Sequence, residues 1–291
     1  MTPALSEHAP LASVLVKHAR DAFVDDDAIA SQWKRLNFSG PPNFSRAIDE
    51  YDRFLEIVAT SGCEMVYLPQ KHGLTLDSIY TRDASVVTAA GVILGSMGKA
   101  SRAGEPPAQD DELRSNGWRI AGSIAPPGRL EGGDLVWLDQ KTLAVGQGAR
   151  TNPEGIRQLK ELLGNSLEEL IVVPLPHYPG QHDVMHLMSL ISPVDRDLAV
   201  VYSRLLPNAF RQTLLRRGYR FVEVPDEEFD TMGCNVLALG PRQCVMLSGN
   251  PTTRAALEQE GARVHVYDGN EISLKGGGGP TCLTRPLARV E

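Results

Sequence analysis

Cys282, His186, Glu131 and Asp83 are the residue types that together carry out covalent catalysis. A thiol supplies the nucleophile as thiolate, and an imidazole moves protons near neutral pH. Carboxylates orient the imidazole or hold a cationic substrate. Cys282 follows Gly276, Gly277, Gly278, Gly279, Pro280 and Thr281, a backbone so bare of side chains that it can approach a ligand closely. Alone, such a run equally suits a flexible surface loop. Other chemistries have weaker footing. His182 and His186 are spaced i, i+4, but there is no H-E-x-x-H, and His186 leads a strand pattern, so no metal site is expected. The glycine run lacks G-K-[S/T], which argues against a phosphate loop. His72 and His177 sit in Pro/Gly-rich loop sequence and read as solvated. Cys63, Cys234 and Cys244 lie beside apolar residues and read as small core fillers.

A repeated element would bring residues so far apart together. One module recurs along the chain: a strand hairpin, a helix, a glycine and a strand. One copy has strands at 134–139 and 142–146, a helix at 153–163, Gly164 and a strand at 170–174. The next has strands at 186–191 and 198–202 about a turn at 193–196, then a helix at 208–217, Gly218 and a strand at 220–224. A third has strands at 235–239 and 244–247, a helix at 252–260, Gly261 and a strand at 263–267. An upstream copy has strands at 85–88 and 92–95, a helix at 109–116, Gly117 and a strand at 118–121. A fifth is assembled from both ends: 282–287 pairs with 13–17, and a helix at 45–60, Gly62 and a strand at 64–68 complete it. In that helix Phe44, Ala47, Ile48, Tyr51, Leu55 and Val58 follow the spacing of a buried face. The five glycines suit left-handed C-caps.

Five such units predict a five-fold pseudo-symmetric α/β propeller, one domain over 1–291, closed where the two ends of the chain meet. The stretch from the twenties to Pro42 and the Pro-rich 125–128 read as insertions. Asp83, Asp134 (with Glu131 three residues earlier), His186, Asn235 and Cys282 each open a hairpin, so pseudo-symmetry would gather them on the axis in one cavity.

Composition fits an ordinary globular chain: 291 residues, 42% hydrophobic and 22% charged. A net charge of −7 argues against a nucleic-acid partner. No apolar run is long enough to span a bilayer, and the first residues lack the basic start and apolar core of a secretory leader. Four separated cysteines with no C-x-x-C suit reduced thiols in a cytoplasm. A homo-oligomer is left open.

Tyr80-Thr81-Arg82-Asp83, Glu131-Gly132-Gly133-Asp134, Gly148-Ala149-Arg150-Thr151, His186-Leu187 and Gly278-Gly279-Pro280-Thr281-Cys282 occur in this order. As a set they resemble the guanidine-modifying enzymes of pentein fold, the arginine deiminase and dimethylarginine dimethylaminohydrolase superfamily, from about Leu36 onward. The resemblance implies that Cys282 attacks the guanidinium carbon, His186 is general acid and base, and Glu131 orients the histidine and contacts the guanidinium. It implies that Asp83 pairs with guanidinium N–H groups and that Arg150 meets the substrate α-carboxylate. Asp134, Met188 and Asn235 complete the expected substrate-binding set. A thiouronium intermediate and a ureido product such as citrulline follow, with no metal or organic cofactor. One departure bears on the substrate. Arginine deiminases carry His-Leu-Asp where this chain has His186-Leu187-Met188, and an apolar side chain tolerates N-alkyl groups. The Thr81-Arg82-Asp83 run is more like the deiminases. The expected activity is therefore hydrolysis of methylated arginine, with arginine deiminase or an amidinotransferase as alternatives. A ring-shaped binding protein without turnover is the non-enzymatic alternative.

Overall fold

The β-branched and leucine-rich runs pair into five separate three-stranded sheets in a computed structural model that describes residues 5–177 and 185–290. β1 (Leu11–Val16) is followed by the short helices α1 (Ala19–Phe23) and α2 (Asp26–Gln32), then α3 (Phe44–Ala59) and β2 (Glu64–Tyr67). The second unit is β3 (Ser85–Thr88), β4 (Gly91–Leu94), α4 (Glu105–Ser115) and β5 (Ile120–Ser123). The third is β6 (Leu135–Asp139), β7 (Thr142–Gln147), α5 (Pro153–Leu163) and β8 (Glu169–Pro174). The fourth is β9 (Ile191–Asp195), β10 (Leu198–Val201), α6 (Asn208–Arg216) and β11 (Arg220–Glu223), followed by the single turn α7 (Asp226–Phe229). The fifth is β12 (Leu237–Gly240), β13 (Gln243–Leu247), α8 (Pro251–Gln259) and β14 (Arg263–Tyr267), and β15 (Thr284–Arg289) returns to the first sheet.

Every sheet has the same wiring. Two strands pair antiparallel, and the third adds parallel to the middle one after a helical crossover, which a parallel connection requires. In the first sheet Leu15 of β1 faces Arg285 of β15 and Val66 of β2. The middle strands are buried, as in β10, all of whose residues are covered. The third strands are only partly covered, as in β2 and β11, where one residue of four is buried.

The helices begin and end where their caps say. The Asn152 side chain accepts the Gly155 N–H ahead of Pro153, and Ile156, Leu159 and Leu163 are buried on one face. In α3 the buried face is Ala47, Tyr51, Phe54, Leu55 and Val58, with Phe44 and Ile48 only half-covered. Gly62, Gly117, Gly164, Gly218 and Gly261 all take positive φ.

Two expectations shift in the fourth unit. His186 heads a 3-10 turn (Leu187–Ser189), not a strand, because the Ser189 hydroxyl accepts the His186 N–H and the His186 carbonyl accepts the Ser189 N–H. β9 then starts at Ile191 and contains Pro193, which faces Ala199. β9 is an outer strand of its sheet, where a proline removes no needed donor.

Neighbouring sheets touch: β15 lies beside β3, β9 beside β12, and β12 beside β1. Ser96 bridges to Leu130 between the second and third units, and the Leu187 N–H donates to Asp134 between the third and fourth at 3.0 Å. No helix among the described residues is long and apolar enough to cross a membrane.

Candidate active site

Each residue expected at the axis immediately precedes the first strand of a unit, or the short turn that leads into it. Asp83 precedes β3, Glu131 and Asp134 precede β6, His186 precedes β9, Asn235 precedes β12 and Cys282 precedes β15. A cavity of about 130 Å³ is lined by Asp83, His186, Met188, Asn235 and Cys282, with Asp77, Lys99 and Arg102 on its wall. His182 lies outside the described residues.

His186 lines the cavity with Nε2 2.7 Å from Glu131 Oε2, which leaves Nδ1 as the ring's other nitrogen. Asp83 Oδ1 lies 3.9 Å from that Nδ1. Burial opposes a charge on the imidazole, but Asp83, Asp134 and Glu131 outweigh it and raise its pKa to about 9. The imidazole is therefore protonated at neutral pH. Glu131 is itself fully buried. Burial would raise its pKa, yet His186, Arg150 and Arg102 hold it well below the usual carboxylate range.

Cys282 Sγ accepts from Asn235 Nδ2 at 3.4 Å and lies 3.9 Å from the Thr281 hydroxyl. Burial and then Asp83 push its pKa up, while Asn235, Thr281 and the Gly279 backbone pull the other way. Asn235 in turn accepts the Thr281 N–H at 3.0 Å and hydroxyl at 2.9 Å, so it fixes the residue before the nucleophile. Cys234 and Cys244 are fully buried, and burial pushes the Cys244 thiol up to about 12. Cys63 is half-buried, its thiol also raised by burial.

The two glycine runs make this packing possible. A Cβ on Gly133 would come within 2.8 Å of Asp83 Oδ1 and of the His186 ring. A Cβ on Gly278 would collide with the Tyr80 ring.

Arg150 stands elsewhere than expected. It is buried behind Glu131, with Nη1 3.1 Å from each carboxylate oxygen, and does not line the cavity. Asp134 also sits behind the site. Its Oδ1 accepts the Leu187 N–H, and burial raises its pKa to about 6 against His186, Thr151 and that amide. Met188 lines the cavity beside His186.

Three wall residues were not found by sequence reasoning. Arg102 Nη1 donates to Asp83 Oδ2 at 2.6 Å while its other nitrogens grip Glu105 at 2.8 Å. Lys99 Nζ lies 3.9 Å from Asp77 Oδ2. Arg102 and Lys99 fall in a connection between β4 and α4, and Asp77 in a 3-10 turn before Asp83, so no repeat position flagged them.

Asp83, Glu131 and His186 each offer a ligand atom within 4.8 Å of the others, the one such cluster among the described residues. Arg102 occupies Asp83 Oδ2, Arg150 and His186 occupy Glu131, and a protonated imidazole has no lone pair for a metal, so of these atoms only Asp83 Oδ1 stays open.

This geometry suits a planar cation: Asp83 Oδ1 is buried and has no hydrogen-bond partner among the described residues. Comparison with known proteins meets the same chemistry. Residues 21–289 match the family described as N,N dimethylarginine dimethylhydrolase, eukaryotic. The chain belongs to this family. The dimethylarginine dimethylaminohydrolase family lies within the guanidino-group-modifying pentein superfamily, and its members hydrolyse C–N bonds of linear amidines. An uncharacterized protein, YkgA of Bacillus subtilis, is 31% identical over 246 residues, 84% of this chain and 81% of that protein. The N(G),N(G)-dimethylarginine dimethylaminohydrolase of Pseudomonas aeruginosa is 24% identical over 245 residues, 84% of this chain and 90% of that one. A structure of the Pseudomonas aeruginosa enzyme with citrulline superposes with a TM-score of 0.74 at 21% identity, covering 97% of this chain and 100% of that one. The N-terminal domain of a cyanobacterial arginine dihydrolase, bound to substrate, gives a TM-score of 0.79 at 17% identity, covering 95% and 98%. Both structures share the α/β fold of the dimethylarginine dimethylaminohydrolase family member described here.

Proposed function

We propose that this protein hydrolyses the guanidino group of Nω-methylated arginine, giving citrulline and an alkylamine, in a single-domain five-unit propeller whose axis carries the site. The five sheets of identical wiring and the pairing of β1 with β15 support the ring. The observation that carries the chemistry is the meeting of Cys282, His186 and Asp83 in one cavity, with His186 braced by Glu131 at 2.7 Å.

The guanidinium seats against Asp83 Oδ1, a charge-assisted contact strengthened by burial. A cation at that place offsets the Asp83 charge that raises the thiol, so Cys282 loses its proton to solvent when substrate binds. Its thiolate adds to the guanidinium carbon, forming an S–C bond. His186, charged beforehand, gives the Nδ1 proton to the departing nitrogen as the C–N bond breaks, leaving a thiouronium on Cys282. The neutral imidazole then takes a proton from water, whose oxygen adds to the same carbon. The S–C bond breaks as the added hydroxyl gives up its remaining proton to solvent, releasing the neutral ureido product and the thiolate. Arg150 acts through Glu131 as a positioning residue, and Asn235 and Thr281 set the thiol.

Met188 supports the methylated substrate. A site that hydrogen-bonds every N–H rejects an alkylated analogue strongly, whereas an apolar wall does not. The test is product analysis on dimethylarginine, monomethylarginine and arginine, with Cys282→Ser as the blank, and with glycine added as an amine acceptor. Citrulline with methylamines, at a kcat/KM for methylated arginine at least equal to that for arginine, is expected, and Met188→Asp should shift preference toward arginine. Ammonia from arginine alone would make the protein a deiminase. Transfer of the amidino group to glycine would make it an amidinotransferase.

A further inference from the structure

Three guanidinium groups are buried together, Arg82, Arg285 and Arg289, at 2%, 5% and 3% exposure, and Arg82 also lines the substrate cavity. Arg82 Nε donates to the Thr281 carbonyl at 3.1 Å, and the Arg82 carbonyl accepts from Arg285 Nη2. Arg289 donates to the carbonyls of Ala9 and Ala238. Against them stands one carboxylate, Glu7, which reaches in from the N-terminal segment to within 3.3 Å of Arg82 Nη1. Glu7 Oε1 also accepts the Trp137 N–H, at 3.4 Å. Asp83, the other acid acting on Arg285, already receives Arg102 on one oxygen.

The donors are not all used. Arg285 Nε and Arg289 Nε are buried and have no partner among the described residues. Both arginines, with Arg82 and Glu7, line a void of about 30 Å³, room for a water-sized particle. Arginine does not shed its charge in proteins, so three cations facing one anion leave a surplus of two positive charges in a low-dielectric interior. Burial of unpaired charge is costly. A water would offer the donors a lone pair but leave the charge. A monovalent anion of similar size answers both demands.

We propose that this void is a binding site for a small inorganic anion of the chloride class, held by Arg82, Arg285 and Arg289 beside Glu7. Arg82 links it to the backbone immediately before the nucleophile. The strong downward pull on Arg285, from burial first and from Arg82 next, agrees with a cluster short of negative charge.

Two measurements on the full-length protein decide it. The first is thermal unfolding in sodium chloride against sodium gluconate at equal ionic strength, gluconate being too large for the void. Chloride at about ten times its Kd should raise Tm by about 3 °C over gluconate. The second is an anomalous map from crystals soaked in bromide, which should show a peak in the void. Glu7→Gln removes the competing carboxylate and should tighten chloride binding by about tenfold, read as a lower half-saturating concentration in the same melts. If that variant does not fold, the native protein alone decides. Equal Tm in the two salts, or no bromide in the void, overturns the site. Unchanged or weaker chloride affinity in folded Glu7→Gln also overturns it.

Discussion

His186 sits among three carboxylates, and each has a different job. Glu131 holds Nε2, Asp83 faces Nδ1, and Asp134 lies behind, fastened to the Leu187 amide. Together they keep the ring charged to about pH 9 in spite of burial. Two consequences follow for pH. The acid form of His186 is the one that protonates the leaving nitrogen, so kcat/KM should fall on an alkaline limb near pH 9. The folded pKa lies above the ordinary histidine value of about 6.5. Stability from this group is thus fully present below that value and is lost as pH rises through about 9. Glu131→Gln keeps an acceptor for the ring but removes a charge, so its alkaline limb should move down by at least about one unit, and its Tm should depend less on pH between 7 and 9. The pH profiles of rate and of Tm, taken on both proteins, check this. An unmoved limb would mean that a group other than His186 sets it.

At the scale of elements, the loop that delivers Cys282 is held from several sides. Glu50 of α3 accepts the N–H groups of Glu271 at 2.8 Å and Ile272 at 3.2 Å. Glu271 accepts the Asn43 N–H at the start of α3, and the Lys275 carbonyl accepts the Ser39 N–H. The stretch read as an insertion before Pro42 is thus a brace for the nucleophile loop. Within the loop, Gly277 has φ of +80° with open space around it, whereas Gly278 packs on Tyr80. Gly277→Asn should therefore be nearly silent, since asparagine tolerates that conformation. Gly278→Ala must push the loop off Tyr80, costing about 1–3 kcal/mol in stability and about 10²-fold in kcat/KM through displacement of the thiol. Thermal melts and kinetics on the two variants separate them, and equal behaviour would show that the close approach to Tyr80 does not matter. What the sequence made legible here follows from periodicity. The capping glycines and the apolar spacing announced all five helices. The polar residue ahead of each hairpin pointed to Asp83, His186, Asn235 and Cys282, which line one cavity, and to Asp134, which stands behind it. Local hydrogen bonding was invisible, so the turn after His186 read as strand. Arg102 and Lys99 were hidden in a connection with no pattern, and Arg150 was given to the substrate by the resemblance alone, its pairing with Glu131, 19 residues away, being a tertiary contact.

At the scale of the whole molecule, the two ends of the chain do the work of one unit. β15 pairs with β1 from Leu11 opposite Arg289 to Val16 opposite Thr284, and the Val290 N–H donates to the Pro10 carbonyl at 3.0 Å. Pro10 and Val290 are therefore neighbours, at one end of the middle strand β1 and of the outer strand β15. If the five units are equivalent in wiring, the position of the break in the backbone is not part of the design, and a break placed elsewhere should be tolerated. The turn at Gln140 and Lys141, between β6 and β7, is exposed and touches no residue proposed for catalysis. A circular permutant that joins the native ends by a short glycine-serine linker and opens between Gln140 and Lys141 should fold. It should also keep kcat/KM within about threefold, because surface loop tips with ends close together tolerate such changes. Glu7 must remain able to reach Arg82, so the linker, and the new end at Gln140 whose Oε1 accepts the Leu5 N–H at 2.9 Å, have to leave the segment from Leu5 to Pro10 in place. The measurement is turnover and thermal unfolding of the permutant beside the native chain. A permutant that fails to fold, while a control with the linker alone at the native ends is soluble, would show that β1 and β15 depend on order of synthesis and not only on adjacency. Retained turnover would show that five equivalent units, and not the chain's starting point, place Cys282 opposite His186.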